Sequence, residues 1–170
     1  MEYFVYGRDT VDGFEIKVAL NEEHWTFMDG YADGLIARGP TLTEDGERTT
    51  GSLHIVDLPD DEAVRSFAYD EPYYRAGAFE TVEIHRFHNH HPGRTMWDFT
   101  GKAERRYLAL TKDAARPLTS EHLIMYGDLL DGTTHIGRAA LLQAPSAQAA
   151  ATLIQADNAE IHPWEFGGRR

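Results

Sequence analysis

The chain has 170 residues, 42% of them hydrophobic, and carries 28 acids against 16 bases for a net charge of -12. A chain of this length can bury a real core, while its negative field disfavours nucleic acid and anionic membrane surfaces as partners. It contains no cysteine, which excludes disulfides, thiolate catalysis and thiolate metal sites and leaves His, carboxylate, Tyr, Arg, Lys and hydroxyl groups for any chemistry.

No apolar run approaches the roughly 20 residues of a membrane helix, and Met1-Glu2-Tyr3-Phe4 lacks the order of a signal peptide. The expectation is a soluble, cytoplasmic protein. Tyr3 to Gly7 is β-rich and ends in a loop at Arg8-Asp9. Asn21 before Glu22 and Glu23 predicts a helix start. Trp25, Met28, Ala32, Leu35 and Ile36 then recur at helical spacing, which carries the predicted helix to about Ala37, where Arg38-Gly39-Pro40 stops it. A polar turn around Glu44 to Glu47 leads to a strand at Leu53 to Leu58, with room near Pro40 to Thr50 for part of another. Pro59-Asp60-Asp61 opens a helix with a buried stripe of Ala63, Val64, Phe67 and Ala68. After a compact loop at Tyr69 to Gly77, Thr81 to Phe87 alternates as a strand. The segment from His88 to Gly101, with Met96, Trp97 and Phe99, is too apolar for a free linker and is expected to pack on the sheet or on a partner.

A shorter version of this order follows. It has a strand at Arg106 to Thr111, a helix from Ser120 to about Leu130, a strand near His135 to Gln143, a helix from Ser146 to Asp157 and a last strand to Phe166. The repetition predicts two units of β-α-β-β-α-β type, divided at about 1–99 and 100–170, each helping to cover the apolar face of the other.

Each unit also places a histidine near the start of one predicted helix and a carboxylate at the end of the next. His24 falls at the edge of an inward stripe with Met28 and Leu35, and Glu71 extends the stripe of Val64 and Phe67, whereas Asp70 points aside. His122 and Asp157 repeat this, and Glu71 and Asp157 lie equally far beyond Pro59 and Pro145. A histidine at a helix N-terminus tends to stay neutral and available as a base. A neighbouring carboxylate fixes its tautomer, which makes a general acid/base unit. Two buried polar groups satisfying each other would give the same pattern, and the residues alone leave both readings open. Arg38, before Gly39-Pro40, and Arg75, before Ala76-Gly77, could hold an anionic substrate or simply flank turns. His85, His88, His90 and His91 could offer imidazoles to a metal, but the run has no obvious carboxylate ligand nearby, and no metal is expected.

The first unit resembles the YCII-related family. The resemblance rests on Tyr3-Phe4-Val5-Tyr6-Gly7-Arg8-Asp9, Glu22-Glu23-His24-Trp25, Ile36-Ala37-Arg38-Gly39-Pro40-Thr41, Thr50-Gly51-Ser52, Glu71-Pro72-Tyr73 with Arg75-Ala76-Gly77, and Gly93-Arg94-Thr95-Met96-Trp97, over about residues 1 to 99. It implies an α+β fold of ferredoxin-like units of the dimeric α+β barrel type, here as two tandem copies in one chain. It also implies a His and acid dyad, which falls on His24 and Glu71, although many relatives have Asp-Pro at Glu71-Pro72. Residues 106 to 166 resemble the family only distantly, so His122 and Asp157 are expected to be a remnant. The wider superfamily implies a cofactor-independent enzyme, isomerase- or lyase-like, moving a proton on a small cyclic or aromatic substrate. Tyr73, Arg38 and Arg75 would then contact the substrate. The alternative is a non-catalytic small-ligand binding or structural barrel protein. A homodimer or an internal pseudo-dimer would complete the barrel, with closure by a partner favoured because an open four-stranded sheet leaves edges unpaired.

Overall fold

The computed structural model describes residues 1–100, 105–113 and 118–169. Among them the chain runs β1 (Glu2–Asp9), α1 (Gly13–Ala19), α2 (Asn21–Asp29), β2 (Leu35–Leu42), β3 (Thr49–Asp57), α3 (Asp61–Tyr69), α4 (Pro72–Arg75), β4 (Phe79–Asn89), β5 (Arg106–Thr111), β6 (Leu123–Asp131), β7 (Thr134–Gln143), α5 (Ala147–Leu153) and β8 (Glu160–Trp164). The strands close into an antiparallel barrel in the order β1-β3-β2-β8-β5-β7-β6-β4. The first four therefore lie side by side as β4-β1-β3-β2 and the last four as β8-β5-β7-β6. This is the same ferredoxin-like order used twice.

Register confirms the likeness residue by residue. Val5 pairs with His54 in the first sheet and Ala109 with Ala140 in the second, and the offset that carries Pro59 to Pro145 also carries His54 to Ala140. The same offset links the caps of α3 and α5: Asp60 accepts from the Ala63 amide and Ser146 from the Ala149 amide. Side-chain caps of this kind stabilise a helix by about 0.5–2 kcal/mol.

Alternation along the strands builds three apolar layers. Phe4, Tyr6, Leu53, Ile55, Leu108, Leu141 and Trp164 fill the barrel. Tyr3, Val5 and Val56 face outward and are covered by Met28 of α2 and by Val64 and Phe67 of α3. Tyr107, Ala140 and Leu142 are covered by Ala150 and Ile154 at α5. The segment after β4 packs as expected, with Met96 buried and Trp97 and Phe99 against the barrel core; Gly101 lies outside the described residues.

Several sequence expectations are corrected. The helix begun at Asn21 ends at Asp29 and not near Ala37, and Leu35 to Leu42 form β2, where pairing with β3 satisfies the backbone groups of Leu35 to Ala37. Asn21 makes no cap; α1 precedes it, and Leu20 is the break between the two helices. Residues 123–131 form β6, not a helix. They lie between β4 and β7, where only a strand satisfies both neighbours' ladders. Closure occurs within the chain, through Arg86↔Leu130 to Asn89↔Gly127 at one seam and Thr41↔Trp164 at the other, so the edges for which a partner was favoured are already paired.

Candidate functional site

A cavity of about 410 Å³ opens on the outer face of the first sheet, between α1, α2 and strands β2 and β3. His24 of α2, Arg38 of β2, His54 of β3 and Tyr73 of α4 line it. Phe14, Trp25, Met28 and Phe166 supply apolar walls, and its size suits a small organic molecule.

His24 and Glu71 meet. Nδ1 of His24 stands 2.5 Å from Oε1 of Glu71. Glu71 is 4% exposed and does not lie on the α3 stripe; it is the N-cap of α4, where its Oε2 accepts from the Tyr74 amide at 3.0 Å. Pro72 at the first helical position holds Glu71 extended (φ -62°, ψ 131°), as a residue before proline prefers. One carboxylate thus starts a helix and grips an imidazole. The His24 ring stacks on Tyr73 with centroids 4.0 Å apart and planes 8° from parallel, and the Tyr73 hydroxyl donates to Asn21 Oδ1 at 3.2 Å. With Nδ1 committed and one face covered, Nε2 is the ring atom left for the cavity.

The site also uses residues that sequence reasoning missed. Lys17 of α1 is 5% exposed and donates to Asp9 Oδ2 at 2.9 Å and to the Gly51 carbonyl at 3.1 Å. Burial pushes its ammonium pKa down, and Asp9 opposes this. His54 is buried in the cavity floor, its ring 6.1 Å from that of His24. Burial holds its pKa well below the ordinary histidine value, reinforced by His24, Arg38 and Lys17. Lys17 sits on a seven-residue helix with no local motif to mark it. His54 was read only as one member of an alternating strand.

The roof comes from the other end of the chain. After β8, Phe166, Gly167 and Gly168 border the cavity. The Gly167 amide donates to the Arg38 carbonyl at 3.0 Å, and Arg38 Nη2 donates to the Arg169 carbonyl at 2.6 Å. Arg169 in turn reaches Asp29 of α2 at 2.7 Å. Gly39 permits this approach: its φ is +150°, and a Cβ there would stand 1.8 Å from the Glu165 carbonyl oxygen. Arg38 is 8% exposed, and burial lowers its pKa.

The remaining predicted residues are not brought here. Arg75 lies on the exposed surface, 2.5 Å from Asp70. His122 sits in the turn before β6 with Glu121 at 3.9 Å, and Asp157 is an exposed turn residue after α5. Among the described residues no hydrogen bond or ion pair joins these two, since the helix that would have carried His122 inward is absent there. The histidine run acquires the carboxylate that the local sequence lacked. Asp128 of β6 lies 2.9 Å from His90, 3.5 Å from His88 and 3.4 Å from His135. Among the described residues no helix is long and apolar enough to cross a membrane.

Comparison with known proteins places the first half of the chain. The model of the YCII-related domain matches residues 1–88. The chain is similar in fold to 5-chloro-2-hydroxyhydroquinone dehydrochlorinase from Burkholderia phenoliruptrix AC1100, solved in complex with 2,5-dihydroxybenzoquinone, at 23% identity and a TM-score of 0.47 over 51% of this chain and 92% of that one. It is also similar to a "putative monooxygenase" from Lactobacillus acidophilus NCFM, at 5% identity and a TM-score of 0.48 over 96% of this chain and 93% of that one. No curated protein matches it.

Proposed function

Because this chain belongs to the YCII-related family, we propose that its first unit is a small-molecule enzyme in which His24 moves a proton and Glu71 positions it. The observation that carries the reading is the 2.5 Å contact between His24 Nδ1 and Glu71 Oε1 behind the wall of the cavity. Glu71 does not line the main cavity, whereas His24 does. The carboxylate therefore serves as the orienting partner, and Nε2 of His24 is the base.

In the proposed reaction Nε2 removes a proton from an acidic C–H or O–H of the substrate, and the electron pair left behind passes into the substrate's unsaturated system. The resulting imidazolium is stabilised by Glu71, as a buried carboxylate stabilises any ring it hydrogen-bonds. The proton then returns to a different atom, giving an isomerisation, or to a departing group, giving an elimination. Arg38 faces the negative charge that develops; Lys17, tied to Asp9, adds little net charge of its own. Trp25, Phe14 and Phe166 favour a small cyclic or aromatic substrate carrying an acidic function. Tyr73 acts on the ring of His24 more than on the substrate, because its face is already covered by the imidazole.

The test is proton exchange. A panel of small cyclic enols, phenols and lactones is incubated with the protein in deuterated water and followed by NMR for deuterium uptake at the acidic position. Uptake catalysed by the wild type and reduced about 10²–10⁴-fold in His24→Ala, the usual worth of general acid–base catalysis, supports the reading. Uptake that survives His24→Ala, or ligands that bind without perturbing the His24 ring, would sink it.

A further inference from the structure

The second sheet offers a separate site, independent of the reaction above. We propose that His88 and His90 of β4 with Asp128 of β6, completed by His135 of β7, bind one divalent first-row transition ion of the zinc class.

Three observations carry this. The first is placement by register. His88 and His90 are two apart on one strand and so share a face. Asp128 lies directly opposite His88, and His135 comes from the next strand over, near Leu130. Three adjacent strands thus gather four potential ligands around Asp128: the ligand atoms of His88, His90 and Asp128 all lie within 4.8 Å of one another, and His135 approaches the other carboxylate oxygen.

The second is spacing. Ligands bound at about 2.0–2.1 Å to a tetrahedral ion stand roughly 3.3 Å apart. The distances from Asp128 oxygens to His90 Nε2, His135 Nε2 and His88 Nδ1 are 2.9, 3.4 and 3.5 Å, so small side-chain movements suffice.

The third is an unmet polar need. Asp128 is 7% exposed. Its Oδ1 and the His135 Nε2 facing it at 3.4 Å are both buried, and neither makes a hydrogen bond to a described residue. A buried carboxylate oxygen without a partner is costly, and the cation opposite it in register is turned elsewhere: Arg138 donates to the Tyr126 hydroxyl at 3.3 Å and the Ile154 carbonyl at 2.9 Å. A metal ion would satisfy Oδ1 and the histidine together. Imidazole with a single carboxylate suits zinc, cobalt or nickel and not magnesium or calcium.

Such an ion would join β4 of the first unit to β6 and β7 of the second, across a seam of the barrel. Its occupancy is therefore readable as stability, because a ligand that binds only the folded state raises the melting temperature.

The experiment uses the full chain freed of any histidine tag, titrated with Zn²⁺ by calorimetry and with Co²⁺ by visible absorption. The expected result is saturation at one ion per chain with an intense tetrahedral Co²⁺ spectrum. Affinity should fall at least tenfold in His90→Ala and Asp128→Asn and measurably in His88→Ala, and Zn²⁺ should raise the wild-type melting temperature. His88 has a 70% exposed side chain, so its variant tests the site even if Asp128→Asn fails to fold. His24→Ala should bind as wild type. Absence of saturable binding, binding that survives both histidine substitutions, or binding lost only in His24→Ala would each overturn the proposal.

Discussion

Arg38 of β2 donates its guanidinium to the backbone carbonyl of Arg169, 131 residues away, at 2.6 Å. A residue of the first unit's cavity is thereby bound to the segment that follows the last strand of the second. The second unit, in which His122 and Asp157 do not meet, still finishes the first unit's site.

Gly39→Ala tests that dependence. With φ at +150° and the Glu165 carbonyl 1.8 Å from the new Cβ, either the strand or the tail must move, at a cost of about 1–3 kcal/mol. The expected outcome is a folded barrel whose Gly167 amide, now hydrogen-bonded to Arg38, exchanges with solvent much faster. Unchanged protection at Gly167 would refute the roof assignment.

Glu71 has two duties that substitutions can separate. Glu71→Gln keeps an acceptor for the Tyr74 amide but removes the charge that, in the proposed reaction, stabilises the His24 imidazolium, so turnover should fall while melting changes little. Glu71→Ala removes both, and should add a capping loss of about 0.5–2 kcal/mol. Parallel kinetics and thermal denaturation of the two variants check the separation; equal stability losses in both would argue against it.

Tyr73 should divide in the same way. Tyr73→Phe retains the stacked face on His24 and loses only the hydrogen bond to Asn21, for a cost near 1 kcal/mol. Tyr73→Ala opens a void where the side chain of a residue only 5% exposed had been and should cost about 3–5 kcal/mol and free the imidazole to rotate. The nitrogen chemical shifts of His24 report this, with a single tautomer expected in the first variant and averaging in the second.

His54 gives a pH dependence with a definite sign. Its pKa is depressed in the folded state by burial, whereas the unfolded chain has the ordinary value of about 6.5. Below that value the unfolded state binds a proton that the folded state refuses, so stability falls as pH drops from about 6.5 towards the folded pKa, and is unaffected above it. His85 and His91, also lowered by burial, contribute in the same direction. In His54→Gln the loss of melting temperature on acidification should be visibly smaller than in the wild type; an identical slope would show that His54 titrates normally.

What the sequence made legible was local. The exposure of Asp70 and the helix starts at Asp60 and Ser146 depend on neighbouring residues or on one repeated offset; the pairing of His24 with Glu71, 47 residues apart, is the exception, legible through the family motif. Even so, Glu71 arrives inside for a different reason than its spacing from Val64 and Phe67 suggested, since Pro72 restarts the chain as a new helix. β6 escaped detection because it is buried on both faces, Leu123 to Leu129 without interruption, so its apolar start, Leu123 to Tyr126, carries neither the period of a helix nor that of a strand. β2 was masked by Leu35 and Ile36, which continue a helical spacing by coincidence. Asp128 beside the histidines and Lys17 beside Asp9 follow from strand pairing and helix docking across the fold, which no local pattern encodes.

The two seams of the barrel are unequal, and the weaker one borders the cavity. β4 and β6 share a ladder from Arg86 to Asn89, whereas β2 and β8 meet in register only at Thr41 and Trp164, continued by backbone bonds from Glu165 to Pro40 and from Gly167 to Arg38. Parting of this line would lift Phe166 to Gly168 from over His24 and would break the Arg169 contact with Asp29 of α2. The roof of the cavity is thus hung on the join between the two halves of the chain.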